Sequence, residues 1–286
     1  MNTVYLNGDY LPLEEARIPV LDRGFIFGDG VYEVIPVYDR RPFRLHHHLD
    51  RLQHSLDGIR LANPLSREAW EAVIGRIVAA AEWQDQGVYL QITRGPAPRD
   101  HAFPAEVRPT VFVMTGELSA PPAETVAHGV SAVTAADNRW LHCDLKTTSL
   151  LANVLLRQIA VDAGCAETIL IRAGHLTEGA ASSIFLVKDG VILAPPKSNL
   201  VLPGITYDVV LDLAAAEGLA TGIRPIAEAE LRSADEIWLT SSTKEITAVT
   251  TLDGRPVANG EPGPIFRRMH DAYQIFKHQV MRGRNG

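Results

Sequence analysis

Two adjacent prolines, Pro121-Pro122, divide this chain. Proline fixes its own φ, carries no N–H and pushes the preceding residue out of the helical region. No helix or interior strand therefore runs through Leu118-Ser119-Ala120-Pro121-Pro122-Ala123. Periodic segments lie on both sides. The sequence predicts two domains, residues 1–120 and a larger 121–286. A length of 286 residues agrees with two domains, and 46% hydrophobic residues can supply a sizeable core.

In the first domain, Asn7-Gly8 between Val4-Tyr5-Leu6 and Tyr10-Leu11 predicts a hairpin. Residues 31–38 read as a strand, with 42–45 as its return. Leu49, Leu52, Leu56 and Ile59 predict a helix from His48 onward. Ser66 is placed to cap a second helix through Trp70, Val73, Ile77 and Ala80. Residues 88–93 and 110–114 read as strands. In the second domain, 130–134, 168–171, 183–188 and 237–239 read as strands. Asp189-Gly190 and Asp253-Gly254 mark hairpin turns. Residues 150–163 read as a helix stopped by Gly164, and 206–217 and the segment from Pro264 as two more. Strands outnumber helices and hairpins are frequent. The expected class is mixed α/β (α+β) with two domains, not a βαβ series.

The formal net charge is −7 and no Lys/Arg run is present, so the chain has no electrostatic footprint for nucleic acid. No apolar stretch reaches the roughly 20 residues of a membrane-spanning helix. The first residues lack a basic segment followed by an apolar one, so no secretory signal is expected. Cys143 and Cys165 are isolated, which suits a reducing compartment and a cytoplasmic location. His46-His47-His48 is no ligand set, because neighbouring residues point in different directions; no metal is expected. Gly28-Asp29-Gly30 reads as a tight turn.

The chemistry centres on one lysine. Lys146 follows Trp140-Leu141-His142-Cys143-Asp144-Leu145, and an apolar setting disfavours the ammonium and yields a nucleophilic amine. A lysine amine that attacks a carbonyl forms a Schiff base, the attachment used by pyridoxal phosphate. That cofactor also calls for a carboxylate on its ring nitrogen, and Glu178 in Thr177-Glu178-Gly179 can fill the role. Gly204-Ile205-Thr206 opens a predicted helix, whose free amides suit a phosphate. Thr240-Ser241-Ser242-Thr243 and Arg51 offer hydroxyls and a cation for the same anion. Each has a plainer alternative. Thr206 can cap its helix, the Ser/Thr run can be a turn, and Arg51 can pair with Asp50 on a solvated face.

Asp22 to Glu33 (DRGFIFGDGVYE), His48-Leu49-Asp50-Arg51-Leu52, the Lys146 segment, Thr177-Glu178-Gly179, Leu202-Pro203-Gly204-Ile205-Thr206 and Thr240 to Ile246 come in a characteristic order. Together they resemble the fold-type IV (class IV) pyridoxal-phosphate aminotransferases over nearly the whole chain. Arg99-Asp100-His101 resembles the substrate-carboxylate trap of the members that act on D-amino acids such as D-alanine. The resemblance implies pyridoxal 5'-phosphate as cofactor and ping-pong transfer of an amino group from a D-amino acid to a 2-keto acid. It implies that Lys146 carries the cofactor and moves the α-proton, while Glu178 pairs with the pyridine nitrogen. Arg51, Ile205, Thr206, Ser241 and Ser242 then surround the phosphate. Tyr32 lies near the substrate carboxylate and the lysine, Arg99 and His101 bind that carboxylate from the partner subunit of a homodimer, and Trp140 and Leu202 flank the pocket. Ala180-Ala181 stand where a family member carries a serine run, which leaves a hydroxyl behind the ring unaccounted for. Branched-chain L-amino-acid aminotransferases, aminodeoxychorismate lyases and (R)-selective amine transaminases share the lysine, so Lys146 alone does not separate them.

Overall fold

The computed structural model describes residues 3–283. The chain divides into two compact units, Met1–Ser119 with Leu145–Leu150, and Ala120–Asp144 with Leu151–Gly286. The first unit thus takes in a short segment from beyond the prolines, and that segment carries Lys146.

In the first unit, β1 (Thr3–Leu6) and β2 (Asp9–Pro12) form the hairpin that Asn7-Gly8 turns, with φ of 52° and 111° at the two turn residues. A short helix α1 (Arg23–Phe27) follows, then β3 (Gly30–Tyr38) and β4 (Arg41–Pro42). Helices α2 (Leu45–Gly58) and α3 (Arg67–Ala80) precede β5 (Gln86–Thr93) and β6 (Thr110–Glu117). The strands pair antiparallel in the order β2-β1-β6-β5-β3-β4. Leu49, Leu52 and Leu56 on α2 and Trp70, Ile74 and Ile77 on α3 recur at helical spacing. All six are buried in one core with Val31, Ile35, Leu90 and Ile92 of the sheet. Ser66 caps α3 by accepting the Ala69 N–H.

The return strand expected over 42–45 is present as β4 but ends earlier, which corrects its extent. Pairing with β3 stops at Pro42, because Asp39 and Arg40 close a turn at φ 48° and 62° and Arg44 then enters the left-handed region and starts α2. The helix therefore begins at Leu45, ahead of His48.

The second unit starts with a helix that the prolines concealed. Pro122 is the N-cap of α4 (Ala123–His128), and Gly129 at φ 71° ends it. Pro is disruptive inside a helix but well suited to its start. There follow β7 (Val130–Ala136), α5 (Leu151–Asp162), β8 (Glu167–Arg172), β9 (His175–Gly179), β10 (Ser183–Lys188) and β11 (Val191–Ala194). Then come α6 (Ile205–Ala216), β12 (Thr221–Ile223), α7 (Glu228–Arg232), β13 (Glu236–Ser241), β14 (Glu245–Leu252), β15 (Arg255–Pro256) and α8 (Pro264–Phe276). A π-helical turn, Lys277–Met281, continues α8. The sheet order is β12-β11-β10-β13-β14-β7-β8-β9, with β15 on β14. β11/β12, β14/β7 and β7/β8 are parallel and the other pairs antiparallel, so the mixed α/β class is realised. Ile169, Ile184, Leu186, Ile237, Leu239 and Val249 form its buried core. Among the described residues no helix is long and apolar enough to cross a membrane.

Candidate active site

In the first unit the Lys146 segment behaves as one more strand beside β3. Tyr32 N–H donates to the Lys146 carbonyl at 2.9 Å, Thr148 N–H to Gly30 at 2.9 Å, and Val31 bridges Thr147. The Lys146 N–H donates to Ser55 Oγ on α2 at 3.0 Å. Gly58 permits this approach, since a Cβ there would lie 2.4 Å from Leu145 Cδ2. With its backbone pinned, Lys146 presents Nζ 4.2 Å from the centroid of the Tyr32 ring, a cation–π geometry. Tyr32 in turn packs against Tyr89 at 5.7 Å. Trp140, the aromatic expected to desolvate the lysine, belongs to the second unit, is 47% exposed and packs edge-on against His142.

Arg51 is not a solvated partner of Asp50. Asp50 pairs with Arg67, while Arg51 is buried and grips Glu33 with Nε and Nη2, both at 2.8 Å. Glu33 is completely buried and also meets His48 Nδ1 at 2.8 Å. Burial opposes its charge, but Arg51 and His48 outweigh burial and hold the carboxyl down to about 2. Burial lowers the His48 imidazole against the pull of Glu33. In the sequence Glu33 and His48 stand only inside longer motifs, and Arg51 alone carries a role of its own. The signal of the network is helical: His48, Arg51 and Ser55 share the buried stripe of α2 with its leucines.

Arg99 and His101 are exposed, on the segment between β5 and β6. Phe27 of α1 stands under both, 5.5 Å from the Arg99 guanidinium and 5.3 Å from the His101 ring. The buried Arg23 donates to the carbonyls of Asp100 at 2.5 Å and His101 at 3.4 Å. Asp29 orients Arg23 and Arg94 together, so Gly28-Asp29-Gly30 is an ion-pair node as well as a turn. Burial and these two guanidiniums act oppositely on Asp29, and the guanidiniums prevail and lower it.

In the second unit Glu178 sits on β9, whose His-Leu-Thr-Glu-Gly run has a single large apolar residue and so gives no strand signal in the sequence. Its Oε1 accepts from Arg139 Nη1 at 2.5 Å and its Oε2 from the Leu202 N–H at 3.0 Å. Arg139 also grips Asp137, through Nε at 2.9 Å and Nη2 at 3.0 Å. Burial pushes the Glu178 carboxyl up to about 7, a rise that Arg139 and the Leu202 amide only partly offset. Leu202 thus serves Glu178 through its backbone. Arg139 was missed by sequence reasoning.

α6 opens without a side-chain cap. Gly204 occupies the N-cap, and the first helical N–H to find an acceptor among the described residues is that of Asp208, on the Gly204 carbonyl at 3.4 Å. The expectation that Thr206 caps the helix is therefore corrected: Thr206 lies inside the first turn, buried, beside Ile205. The amides at this end are left for an external acceptor. A Cβ on Gly204 would meet Ser183 Oγ at 2.7 Å, so the chain approaches that hydroxyl closely. Ser183 pairs across strands with Thr240, whose Oγ1 is buried without a partner among the described residues. Ser241 ends β13, and its Oγ accepts the Lys244 N–H at 3.1 Å, closing a turn that holds Ser242. A shallow, open cleft is lined by Glu178, Leu202, Gly204, Ser183 and Tyr207 among others. Beyond Ala180-Ala181, Ser182 donates to Glu167 at 2.8 Å, so the first hydroxyl after Glu178 is committed to a buried acid. Among the described residues no group of His, Cys, Asp and Glu side chains is placed to hold a metal.

A family model described as amino-transferase class IV matches residues 30–252. The D-alanine aminotransferase of Bacillus licheniformis is 40% identical over 271 residues, 95% of each chain. That of Staphylococcus epidermidis is 36% identical over 277 residues, 96% of this chain and 98% of its own. Among solved structures, the T.th. branched-chain amino acid aminotransferase with pyridoxamine 5'-phosphate superposes with a TM-score of 0.91 at 27% identity, covering 99% of this chain and 95% of that one.

Proposed function

The chain belongs to the class IV aminotransferases, and we propose that it moves the amino group of a D-amino acid, D-alanine or D-glutamate, to a 2-keto acid with pyridoxal 5'-phosphate as cofactor. The observation that carries this reading is the 40% identity to a D-alanine aminotransferase over 95% of both chains.

The residues present fit such a cofactor. An uncapped helix start, a Thr240 hydroxyl without a partner among the described residues and the Ser241–Ser242 turn suit a phosphate. A buried carboxylate held from both oxygens suits a protonated ring nitrogen. When bound, the cofactor supplies an electron sink for the pair left when the substrate loses its α-proton. The rest is assigned to this chain. Lys146 Nζ anchors the cofactor and then moves the α-proton, and the Tyr32 ring steadies it as an ammonium in between. Glu178 holds a proton on the ring nitrogen, and Arg139 keeps Glu178 in place. Ile205 and Thr206 bind phosphate oxygens through the helix start, with Arg51, Ser241 and Ser242 adding charge-assisted contacts. Arg99 and His101 take the substrate carboxylate, and Trp140 and Leu202 border the pocket. One amino acid leaves as a keto acid before the second substrate enters, which gives ping-pong kinetics.

The chain works as a homodimer in the cytoplasm. Leu151, Val154, Leu155 and Ile159 form a stripe along α5 and are 72%, 59%, 61% and 42% exposed, an apolar face that suits a second copy of the chain.

The test supplies each enantiomer of alanine and leucine with 2-oxoglutarate and measures glutamate and the keto acid formed. D-Alanine is expected to turn over fastest. Faster turnover of L-leucine overturns the reading in favour of a branched-chain enzyme.

A further inference from the structure

Glu245 has no part in the chemistry above, yet its setting is unusual. It is 4% exposed and adopts φ 55°, a left-handed conformation that non-glycine residues rarely take. Its register partner in the β13–β14 hairpin is Ser241, so it closes the turn that presents Ser241 and Ser242. Both carboxylate oxygens are held from the C-terminal helix. Lys277 Nζ donates to Oε1 at 2.5 Å and Gln274 Nε2 to Oε2 at 2.7 Å. Lys277 is itself buried and begins the π-helical turn that ends α8, a local change of pitch of the kind found at functional sites.

The preceding residue is anchored as well. The ammonium of Lys244 lies 3.5 Å from Glu167 Oε2, and Glu167 is fully buried and accepts from Ser182 Oγ at 2.8 Å. The Lys244 carbonyl accepts from Thr247 Oγ1 at 3.0 Å. One side of the turn is thus tied to the segment that follows Glu178, and the other to the C-terminal helix. A buried ion pair is a poor source of stability, since its desolvation cancels much of the attraction. Its use lies in fixing one geometry, and here the geometry fixed is that of the hydroxyl-bearing turn.

We propose that Glu245, clamped by Lys277 and Gln274, is a positioning residue that shapes the Ser241–Ser242 turn to bind the phosphate of the cofactor. The proposal rests on the reading of that turn as a phosphate site. Lys277 and Gln274 are assigned no phosphate contact of their own, since both are committed to Glu245. They act by holding Glu245 in its strained conformation, and through it the hydroxyls of the preceding turn.

The experiment measures the affinity of the full-length apoprotein for pyridoxal 5'-phosphate and for pyridoxal, which lacks the phosphate. The ratio of the two isolates the phosphate contribution, whereas general loosening of the protein weakens both ligands alike. In Lys277→Met the ratio is expected to fall about tenfold, the loss of one well-placed hydrogen bond to a charged group. Lys277→Arg restores it in large part. Gln274→Leu, a milder change, lowers it in the same direction should Lys277→Met fail to fold. A Ser241→Ala/Ser242→Ala pair marks the direct contacts and is expected to lower the ratio at least as far. If the serine pair lowers the ratio while Lys277→Met and Gln274→Leu weaken both ligands equally, the positioning role is wrong and the phosphate site stands. If the serine pair leaves the ratio unchanged, the phosphate does not use this turn and both readings fall.

Discussion

Arg139 donates through Nη1 to the buried carboxylate of Glu178 at 2.5 Å. The same guanidinium holds Asp137 by two further bonds, so one cation serves two buried acids. Replacing Arg139 by Met leaves both without their main partner. Loss of one member of a buried ion pair typically costs about 3–5 kcal/mol, so chemical denaturation should show the second unit destabilised by roughly that much. An unchanged midpoint would mean that the pair contributes nothing to the fold.

Glu178→Gln keeps the shape of the side chain but cannot hold a ring-nitrogen proton in the same way. Steady-state kinetics should show kcat falling by orders of magnitude with KM little changed, as for an interaction that strengthens in the transition state. Equal kcat in the variant would remove Glu178 from the mechanism.

Glu33 sets a pH dependence in the first unit. Its carboxyl is held at about 2, against an ordinary value of 4.5. The unfolded chain therefore binds the proton first, and the stabilisation is fully present above pH 4.5 and lost as the pH falls through about 2. Thermal melting of the protein and of Glu33→Gln should differ most above pH 4.5. The gap should close as the pH falls below it, and a gap that widens on acidification would contradict the assignment.

How much of this was readable in advance differs by residue. α3 was legible because Ser66 and the Trp70–Val73–Ile77 spacing agree, and β10 because Asp189-Gly190 ends it sharply. α4 was hidden, since the prolines that break a helix interior also start this one. The bond between Arg139 and Glu178 spans 39 residues, and nothing local announces such a pair. Arg51 was visible as a cation, but its commitment to Glu33 depends on α2 lying across β3. The missing cap of α6 was equally invisible: Thr206 has the chemistry of a cap, and only the observed start at Ile205 shows that it does not act as one.

The α5 stripe predicts an assembly. Leu155→Glu places a charge in the middle of an apolar face that is already solvent-exposed in the single chain, so folding should be spared. Sedimentation should show a dimer for the parent protein and a shift to monomer for the variant. A parent protein that sediments as a fully active monomer would refute the dimer.

The most direct measurement reduces the cofactor-loaded protein with borohydride and locates the pyridoxyl group by peptide mass analysis. Pinned by Tyr32 and Ser55 and facing the Tyr32 ring, Lys146 should carry the adduct. An adduct on Lys188, Lys197 or Lys244 instead would contradict the account at its centre.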